Sequence, residues 1–374
     1  MQNTCPFCGT PVEFATGAAP AGFRRKGISS SITEISAHEP CRNYWLAAPE
    51  GEGHPEAGHL PFLRALPETE RRFYAETVRR MRDGGAWLIL YLEWSRNLIE
   101  CFHVARAAAA AYGLGEARVL HSGAGFDGQN LLLFLEDGAG CRPLRVHAPE
   151  AERDEIRSKI FWLRALDREG VRVPRPQTAV GGEDLVWAEA GSAGRFCVLY
   201  DWIPGEMIGH LDPAKRSRAM VENIGASMAR MHRLSTATAL PDWFRRPAYG
   251  PEEAARFVGG REYPGGREPV DRALADLRAV MAEMDGIPRT YGLIHGETAD
   301  GNILIDGDAI AFIDFQRFGW GYFLTDIQKL AATMAPEERE WLFAAYGDIF
   351  ALPERFEAWY SAFDRARTVL GHWT

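Results

Sequence analysis

The sequence predicts an α+β protein with two lobes, a smaller β-rich lobe followed by a larger helical one. Strand-like runs and glycine-rich turns dominate from about residue 117 to residue 203. Helical periodicity dominates from about residue 211 onward, apart from one strand-rich stretch at residues 291–315. Because strands and helices are segregated along the chain, we expect two packed layers with a cleft between the lobes for the functional site.

The composition narrows the class of protein. The 374 residues carry 42 Lys+Arg against 51 Asp+Glu, a net charge of −9, and include 11 Trp and 20 Phe. So many aromatic residues exclude intrinsic disorder. The acidic balance argues against a nucleic-acid partner and suits a small, cationic molecule as partner.

The longest apolar run, Ala86–Leu92, is far too short to cross a membrane, and the first residues lack the basic and apolar pattern of a secretion signal. We expect a cytoplasmic protein.

Composition shifts divide the chain into five predicted segments: a zinc-ribbon-like module at 1–48, a Gly-, Pro- and Glu-rich linker at 49–67, a helical segment at 68–113, a β-rich lobe at 114–203 and a helical lobe at 204–374. Apolar residues recur at helical spacing from Trp87 to Ala105. We expect this stripe to pack on the first lobe or on a second copy of the chain, which makes residues 86–112 a candidate homodimer surface.

Cysteine spacing in the first segment predicts a structural zinc site. Cys5 and Cys8 lie in a Cys-x-x-Cys turn, and His38 and Cys41 supply a second pair. His54 or His59 is the alternative to His38. The zinc module would dock a partner, mediate dimerisation or, as a further alternative, contact nucleic acid. Cys101, Cys141 and Cys197 are isolated, and we expect them to be buried as small hydrophobic residues.

The strand-rich stretch carries the candidate chemistry. Ile303–Ile305 and Ile310–Ile313 are short apolar strands, and Asp306-Gly307-Asp308 between them is a hairpin turn signal. Such a hairpin brings Asn302, before the first strand, beside Asp314, after the second. An amide oxygen and a carboxylate together make a hard-oxygen site suited to Mg²⁺.

An acid precedes this pair. Glu297 lies five residues before Asn302 on a loop opened by His295-Gly296. An acid, an amide five residues later and an aspartate after the next hairpin resemble the catalytic loop and metal-binding aspartate of kinases. Phosphoryl transfer needs a metal to screen the polyphosphate and a carboxylate to accept the proton of the attacking hydroxyl. The alternative is that these residues only cap turns.

The sequence resembles the aminoglycoside phosphotransferase and choline-kinase-like family from about Ala117 to the C-terminus. Members of that family usually contain His-Gly-Asp, then Gly-Asn-hydrophobic-Leu, then Ile-Asp-Phe. The resemblance extends to Leu144–His147, the run Ile156–Leu166 with the following prolines, the hinge-like Tyr200–Glu206, the helix Met228–Leu234 and the segment Gly319–Asp326. It implies a protein-kinase-like fold, with Met228–Leu234 packed beneath the catalytic loop.

The resemblance also implies site residues and substrates. Glu297 would be the catalytic base, Asn302 and Asp314 the Mg²⁺ ligands and Arg145 the phosphate contact of a bound ATP or GTP. The glycine-rich turn Gly123–Gln129, with Gly123 and Gly125, would cover the phosphates through backbone N–H groups. Asp201 and Ile203 would lie at the hinge that binds the purine through its backbone. His295 would be structural.

Three positions depart from the family pattern. Glu297 replaces the usual aspartate, and its extra methylene requires the loop to retreat for the carboxylate to reach a hydroxyl. Arg145 replaces a common lysine and keeps its charge. Lys159 stands where the helix should present an acid, so either Glu155, one turn earlier, pairs with Arg145, or Lys159 belongs to an unusually basic phosphate site.

These observations predict a Mg²⁺-dependent kinase that transfers a γ-phosphoryl group to a hydroxyl of a small molecule, and they leave the identity of that acceptor open. Two alternatives remain open. The first is a catalytically inactive kinase-like scaffold that binds a nucleotide or a partner protein. The second is a nucleic-acid-associated protein that acts through its zinc ribbon.

Overall fold

The structure is a computed structural model that describes residues 101, 103–127, 130–190, 193–259 and 266–370. The predicted zinc ligands Cys5, Cys8, His38 and Cys41, with the alternatives His54 and His59, lie outside the described residues. The predicted linker and most of the helical segment also lie outside them. The zinc module therefore stays a prediction.

The described chain forms two compact units. The first contains the residues up to Arg153 together with Pro176–Trp202, and the second contains Asp154–Arg175 and the residues from Ile203 onward. Most of the helix predicted in the first lobe therefore groups with the second unit. The segment boundaries derived from the sequence stay predictions.

The first unit is an antiparallel sheet with a helix. Within its described residues the sheet has five strands in the order β1-β2-β3-β5-β4. Its elements are α1 (residues 103–111), β1 (Arg118–Asp127), β2 (Asn130–Asp137), β3 (Gly140–Val146), β4 (Val186–Ala190) and β5 (Ala193–Leu199).

Helix α1 is the described end of the striped segment. Val104, Ala105, Ala108 and Ala109 are buried in one core with the leucines of β2 and β3. The hydroxyl of Tyr112 donates to the Asp184 carbonyl oxygen at 2.8 Å, which ties the helix end to the loop before β4. This face of the helix therefore packs on the sheet, one of the two expected arrangements, and homodimerisation through residues 86–112 stays a prediction.

Most of the glycine-rich segment lies in a strand and not in the turn that the sequence predicts. A turn was expected over Gly123–Gln129, but β1 continues to Asp127. The pairing of β1 with β2 shifts register between His121 and Phe126. Glycines tolerate the bulge that such a shift requires. The glycines here therefore belong to a strand with a bulge.

The second unit is mainly helical. Its helices are α2 (Arg153–Arg168), α3 (Arg218–Ala237), α4 (Pro251–Gly259), α5 (Glu268–Met284), α6 (Phe323–Ala331), α7 (Pro336–Ile349) and α8 (Phe356–Leu370). Its strands are β6 (Glu206–Met207), β7 (Tyr291–Ile294), β8 (Ile303–Asp306), β9 (Ala309–Phe312) and β10 (Gly319–Tyr322). They form the small sheets β6-β8-β9 and β10-β7.

Helix α2 is attached to the second unit by aromatic and polar contacts. The Trp162 ring stacks on Phe318 at 5.7 Å between centroids. The Ser158 hydroxyl accepts the Arg245 backbone N–H at 2.8 Å. These contacts link α2 to the turn that follows the β8–β9 hairpin, through Phe318, and to the segment between α3 and α4, through Arg245.

No helix of the described residues combines the length and apolar character needed to cross a membrane.

Candidate active site

The candidate catalytic loop joins β7 to β8. Strand β7 ends at Ile294, and His295, Gly296 and Glu297 follow directly. A short 3₁₀ turn at Asp300–Asn302 leads into β8. Glu297 is half-buried, so its side chain keeps partial access to solvent.

The Asp326 side chain in α6 anchors this loop. Its Oδ2 accepts the His295 backbone N–H at 2.8 Å, and its Oδ1 accepts the Gly296 N–H at 2.9 Å. The Thr298 hydroxyl donates to the Asp326 carbonyl oxygen at 2.7 Å. Three successive parts of the loop are thus bonded to one residue.

A second helix completes the anchor. His232 Nε2 in α3 lies 3.1 Å from Asp326 Oδ2, and both side chains are fully buried. Burial alone raises the pKa of Asp326, but the hydrogen bond from His232 and the other donors outweigh it, and the pKa lies below its ordinary value. Asp326 is therefore a buried carboxylate, charged and held by donors from two elements. His232 lies in the predicted segment Met228–Leu234, which does contact the anchor of the loop.

His295 is fully buried, and both its ring nitrogens face the backbone. Nε2 donates to the Ile313 carbonyl oxygen at 2.9 Å, and Nδ1 accepts the Glu297 N–H at 3.2 Å. Burial lowers the pKa of His295 below its ordinary value, which keeps the ring neutral. One neutral tautomer satisfies both partners, and this arrangement fits the structural role that the resemblance implies.

Asn302 lies at the base of the β8–β9 hairpin. Its side-chain Nδ2 donates to the Glu297 carbonyl oxygen at 2.9 Å, which fixes the amide and leaves Oδ1 as the acceptor atom. Its backbone carbonyl accepts the Ile313 N–H at 2.9 Å. The residue after Ile313 is Asp314, so the hairpin brings both predicted metal ligands to the same end.

Asp314 begins the 3₁₀ turn Phe315–Arg317 in a left-handed conformation, with φ 64° and ψ 59°. Asp is one of the few residues that adopts this conformation at modest cost, and such strain concentrates at functional sites. Its side chain is exposed. The carboxylate is therefore available to a ligand.

The donor set at this hairpin fits Mg²⁺. No three His, Cys, Asp or Glu side chains converge as a metal site within the described residues. Mg²⁺ in phosphoryl-transfer sites takes one or two protein oxygens and completes its shell with phosphates and water. One amide oxygen and one exposed carboxylate are such a set.

The Arg246 side chain binds the backbone of the chain that follows Asp314. Its Nε donates to the Phe318 carbonyl oxygen at 2.6 Å, and its Nη2 donates to the Gln316 carbonyl oxygen at 3.0 Å. The guanidinium also lies over the Phe318 ring, 5.0 Å from its centroid. The turn that carries Asp314 is therefore fixed on both sides, by the hairpin and by Arg246.

Of the two charged residues predicted on α2, Lys159 contacts this same turn. The buried Lys159 Nζ lies 3.4 Å from Gln316 Oε1, two residues after Asp314. Glu155 is exposed; burial lowers the pKa of Arg246, and the negative charge of Glu155 opposes part of this shift. Within the second unit Lys159 is thus near the candidate metal site. The pairing of Glu155 with Arg145 stays a prediction.

The remaining predicted nucleotide contacts are distributed as follows. Arg145 is buried in β3, paired in register with Leu132 and Val198. Asp201 accepts the Gln177 side-chain N–H at 2.5 Å. These two residues and the β1 glycines Gly123 and Gly125 belong to the first unit, whereas Ile203, half-buried, begins the second.

The structure belongs to the protein-kinase-like fold class. Its first unit contains an antiparallel sheet, and its second unit is mainly helical and contains the candidate catalytic loop. A family model described as the phosphotransferase enzyme family matches residues 123–366. The chain therefore belongs to the phosphotransferase enzyme family, as the motif resemblance predicts.

Individual proteins show the same likeness. The chain is 25% identical over 248 residues to amicoumacin kinase of Bacillus subtilis (strain 168), covering 64% of this chain and 70% of that protein. It superposes on the structure of a microcompartment-associated aminopropanol kinase with a TM-score of 0.59 and 24% identity, covering 72% of this chain and 87% of that one. A structure of amicoumacin kinase hAmiN in complex with AMP-PNP, Ca²⁺ and Ami also gives a TM-score of 0.59, with 20% identity over 74% of this chain and 86% of that one. The two structures share the fold of this chain.

Three residues of the described site were not assigned by sequence reasoning. Asp326, Lys329 and Arg246 all bond to backbone atoms of the loop or turn. No sequence signal identified them, because the burial of α6 along its whole length, with an acid and a lysine three residues apart, is visible only in the structure. Charged residues on a buried helix are almost always paired.

Proposed function

We propose that this protein is a Mg²⁺-dependent kinase that transfers the γ-phosphoryl group of ATP or GTP to a hydroxyl of a small molecule. The observation that supports this most is the arrangement around one loop. Glu297 follows two residues anchored by Asp326, its carbonyl binds the Asn302 amide, and Asn302 shares the hairpin base with Asp314.

The proposed reaction uses these residues in distinct roles. Glu297 accepts the proton of the acceptor hydroxyl as its oxygen attacks the γ-phosphorus, and the bond to the bridging oxygen breaks to release the nucleoside diphosphate. Asn302 and Asp314 would hold Mg²⁺, which neutralises charge on the transferred group when bound. Asn302 also ties the base to the metal site, because its amide nitrogen binds the Glu297 carbonyl.

The nucleotide contacts remain those that the family resemblance implies. We assign Arg145 to the phosphates and the backbone at Gly123 and Gly125 to the same group. We assign the hinge at Asp201 and Ile203 to the purine. Lys159 joins the phosphate contacts, supported by its position beside Gln316, and Glu155 balances the local positive charge at Arg246.

We propose an acceptor that carries an amine beside its hydroxyl. The names of two relatives, amicoumacin kinase and aminopropanol kinase, indicate small-molecule acceptors in the family. Asp300, half-buried, adds a second acid three residues after Glu297 on the same loop. A carboxylate near the base can orient an ammonium group and so place the neighbouring hydroxyl.

The test is nucleotide turnover by the full chain with ATP or GTP, Mg²⁺ and a panel of aminopropanol, choline, kanamycin and spectinomycin. Asp314→Asn removes the metal-binding charge, and Asp308→Asn, in the exposed turn at the other end of the same hairpin, is the matched control. We expect turnover to fall by about 10³-fold or more in the first variant and to stay unchanged in the second. Equal activity of wild type and Asp314→Asn on every acceptor contradicts the proposal.

Two further outcomes are informative. Aminopropanol should react faster than propanediol, which lacks the amine, if the acceptor is cationic. Tight nucleotide binding without turnover would favour the inactive scaffold instead.

A further inference from the structure

Gly296 is held at both of its peptide groups by one helix. Its N–H donates to Asp326 Oδ1 at 2.9 Å, and its carbonyl oxygen accepts Lys329 Nζ at 2.6 Å. Asp326 and Lys329 lie three residues apart on α6, so they project from neighbouring positions on one helix face. The next residue after Gly296 is Glu297.

The backbone at Gly296 is unusual as well as clamped. Its φ of +80° is in the left-handed region, and a Cβ added there would fall on the Arg317 carbonyl oxygen. The loop thus passes closely over the turn that follows Asp314. Small movements of the Gly296–Glu297 peptide would therefore displace the Cα atom of Glu297, from which its side chain extends.

Lys329 is buried, with 7% of its surface exposed. The charged or titratable groups that face it are Asp326 on its own helix, Glu297 and His295 on the loop, and Arg317 on the turn after Asp314. Burial lowers the pKa of Lys329 to about 8. A buried ammonium group is costly, so simple packing does not explain a lysine at this position.

We propose that Lys329 is a positioning residue that, together with Asp326, holds both peptide groups of Gly296 and thereby aims the Glu297 carboxylate at the acceptor hydroxyl. Glutamate has one more side-chain torsion than aspartate, so its carboxylate samples more positions and depends more on a fixed backbone. The inference rests on the proposed role of Glu297 as the base.

The first test separates positioning from packing. Lys329→Met keeps an unbranched side chain and removes the ammonium group, and Lys329→Arg keeps the charge. Gln328→Met is the matched control, because it removes the hydrogen bond from the buried Gln328 on the same helix to the half-buried Asp364, without touching the loop. Each variant is assayed with ATP, Mg²⁺ and aminopropanol, and with water as the acceptor if aminopropanol does not react.

We expect Lys329→Met to lower kcat by about 100-fold while the KM for ATP changes by less than about two-fold. Lys329→Arg should recover kcat to within about ten-fold of wild type, and Gln328→Met should keep it. A kcat within two-fold of wild type in Lys329→Met, or equal losses in Lys329→Met and Gln328→Met, overturns the proposal.

The second test asks whether Lys329 acts through Glu297. In a Glu297→Gln background the base is absent, so adding Lys329→Met should cause no further loss of the residual rate. A full additional 100-fold loss there shows that Lys329 acts by another route and overturns the proposal.

A third measurement does not depend on activity. Amide hydrogen exchange at Gly296 and Glu297 should be faster in Lys329→Met than in wild type, because the carbonyl clamp is gone, and unchanged in Gln328→Met. Unchanged exchange in Lys329→Met overturns the role of Lys329. Absence of wild-type turnover on every acceptor, with faster exchange in Lys329→Met, instead overturns the proposed function and leaves the clamp established.

Discussion

His232 and Asp326 form a fully buried imidazole–carboxylate pair whose members lie 94 positions apart in the sequence. The other ring nitrogen of His232 is bonded to the Tyr346 hydroxyl at 2.8 Å, which adds helix α7 to the same group. Helix α3 thus contacts the carboxylate that holds the candidate catalytic loop, and α7 contacts it indirectly, through His232. The stability of this unit and the geometry of the loop therefore depend on the same residue.

The first prediction concerns Asp326→Asn. The amide keeps the shape of the carboxylate but presents an NH₂ group to backbone N–H donors, which leaves buried donors without an acceptor. We expect the free energy of unfolding to fall by about 3–5 kcal/mol, measured by urea denaturation. Asp285→Asn is the control, because the exposed Asp285 accepts one hydrogen bond from Tyr322, and its loss should cost only about 1 kcal/mol. Similar losses in both variants would contradict the anchoring role.

The second prediction concerns the left-handed glycine of the loop. Gly296→Ala adds both the cost of positive φ and a collision with the Arg317 carbonyl oxygen. Gly286→Ala is a matched control, since Gly286 has φ +77° and nothing within 4 Å of an added Cβ. We expect about 1 kcal/mol of destabilisation at Gly286 and clearly more at Gly296, with loss of turnover only at Gly296. Equal thermal stability and equal turnover in the two variants would show that the loop can move away from Arg317.

The parts of the fold that sequence predicts well are local. The β8–β9 hairpin forms where the turn residues indicated it, because Gly307 adopts the positive φ that a tight turn needs. Helix α2 follows the apolar spacing of Ile156, Ile160 and Leu163, all buried. In both cases the signal and the structure lie within the same short stretch of chain.

The parts that sequence misses depend on distant backbone. Strand β6 has two residues and pairs with β8, about a hundred residues later, and β10 pairs with β7 across the intervening hairpin. Lys329 and Arg246 bind carbonyl oxygens, and every residue has a carbonyl. A donor whose partner is backbone leaves no matching residue type in the sequence, so only the fold reveals the contact.

The third prediction concerns Arg246→Met, which removes two hydrogen bonds to the turn after Asp314. The freed turn should hold Asp314 less firmly, so we expect the Mg²⁺ concentration for half-maximal turnover to rise by about 10- to 100-fold. Arg245→Met is the control, because within the described residues the Arg245 side chain bonds to carbonyls of its own segment, at Asp242 and Phe244, and not to the turn after Asp314. An unchanged Mg²⁺ dependence in Arg246→Met would show that the hairpin alone fixes Asp314.

The fourth prediction concerns the pH dependence of stability. Burial lowers the pKa of Lys329 from 10.5 to about 8 in the folded protein. Between these two values the unfolded chain binds a proton at this site that the folded protein does not, so stability rises with pH across that window. The shift corresponds to about 3 kcal/mol in total.

The measurement compares the free energy of unfolding of wild type and Lys329→Met from pH 7 to pH 11. Titrating groups that do not face Lys329 are common to both proteins, so their effects cancel in the difference. We expect the methionine variant to be at least as stable as wild type near pH 7. As the pH rises from about 8 to 10.5, the free energy of unfolding of wild type should increase relative to that of the variant. Gln328→Met, which introduces and removes no titrating group, should run parallel to wild type. A constant difference between wild type and Lys329→Met would show that burial of the lysine does not lower the stability of the folded protein.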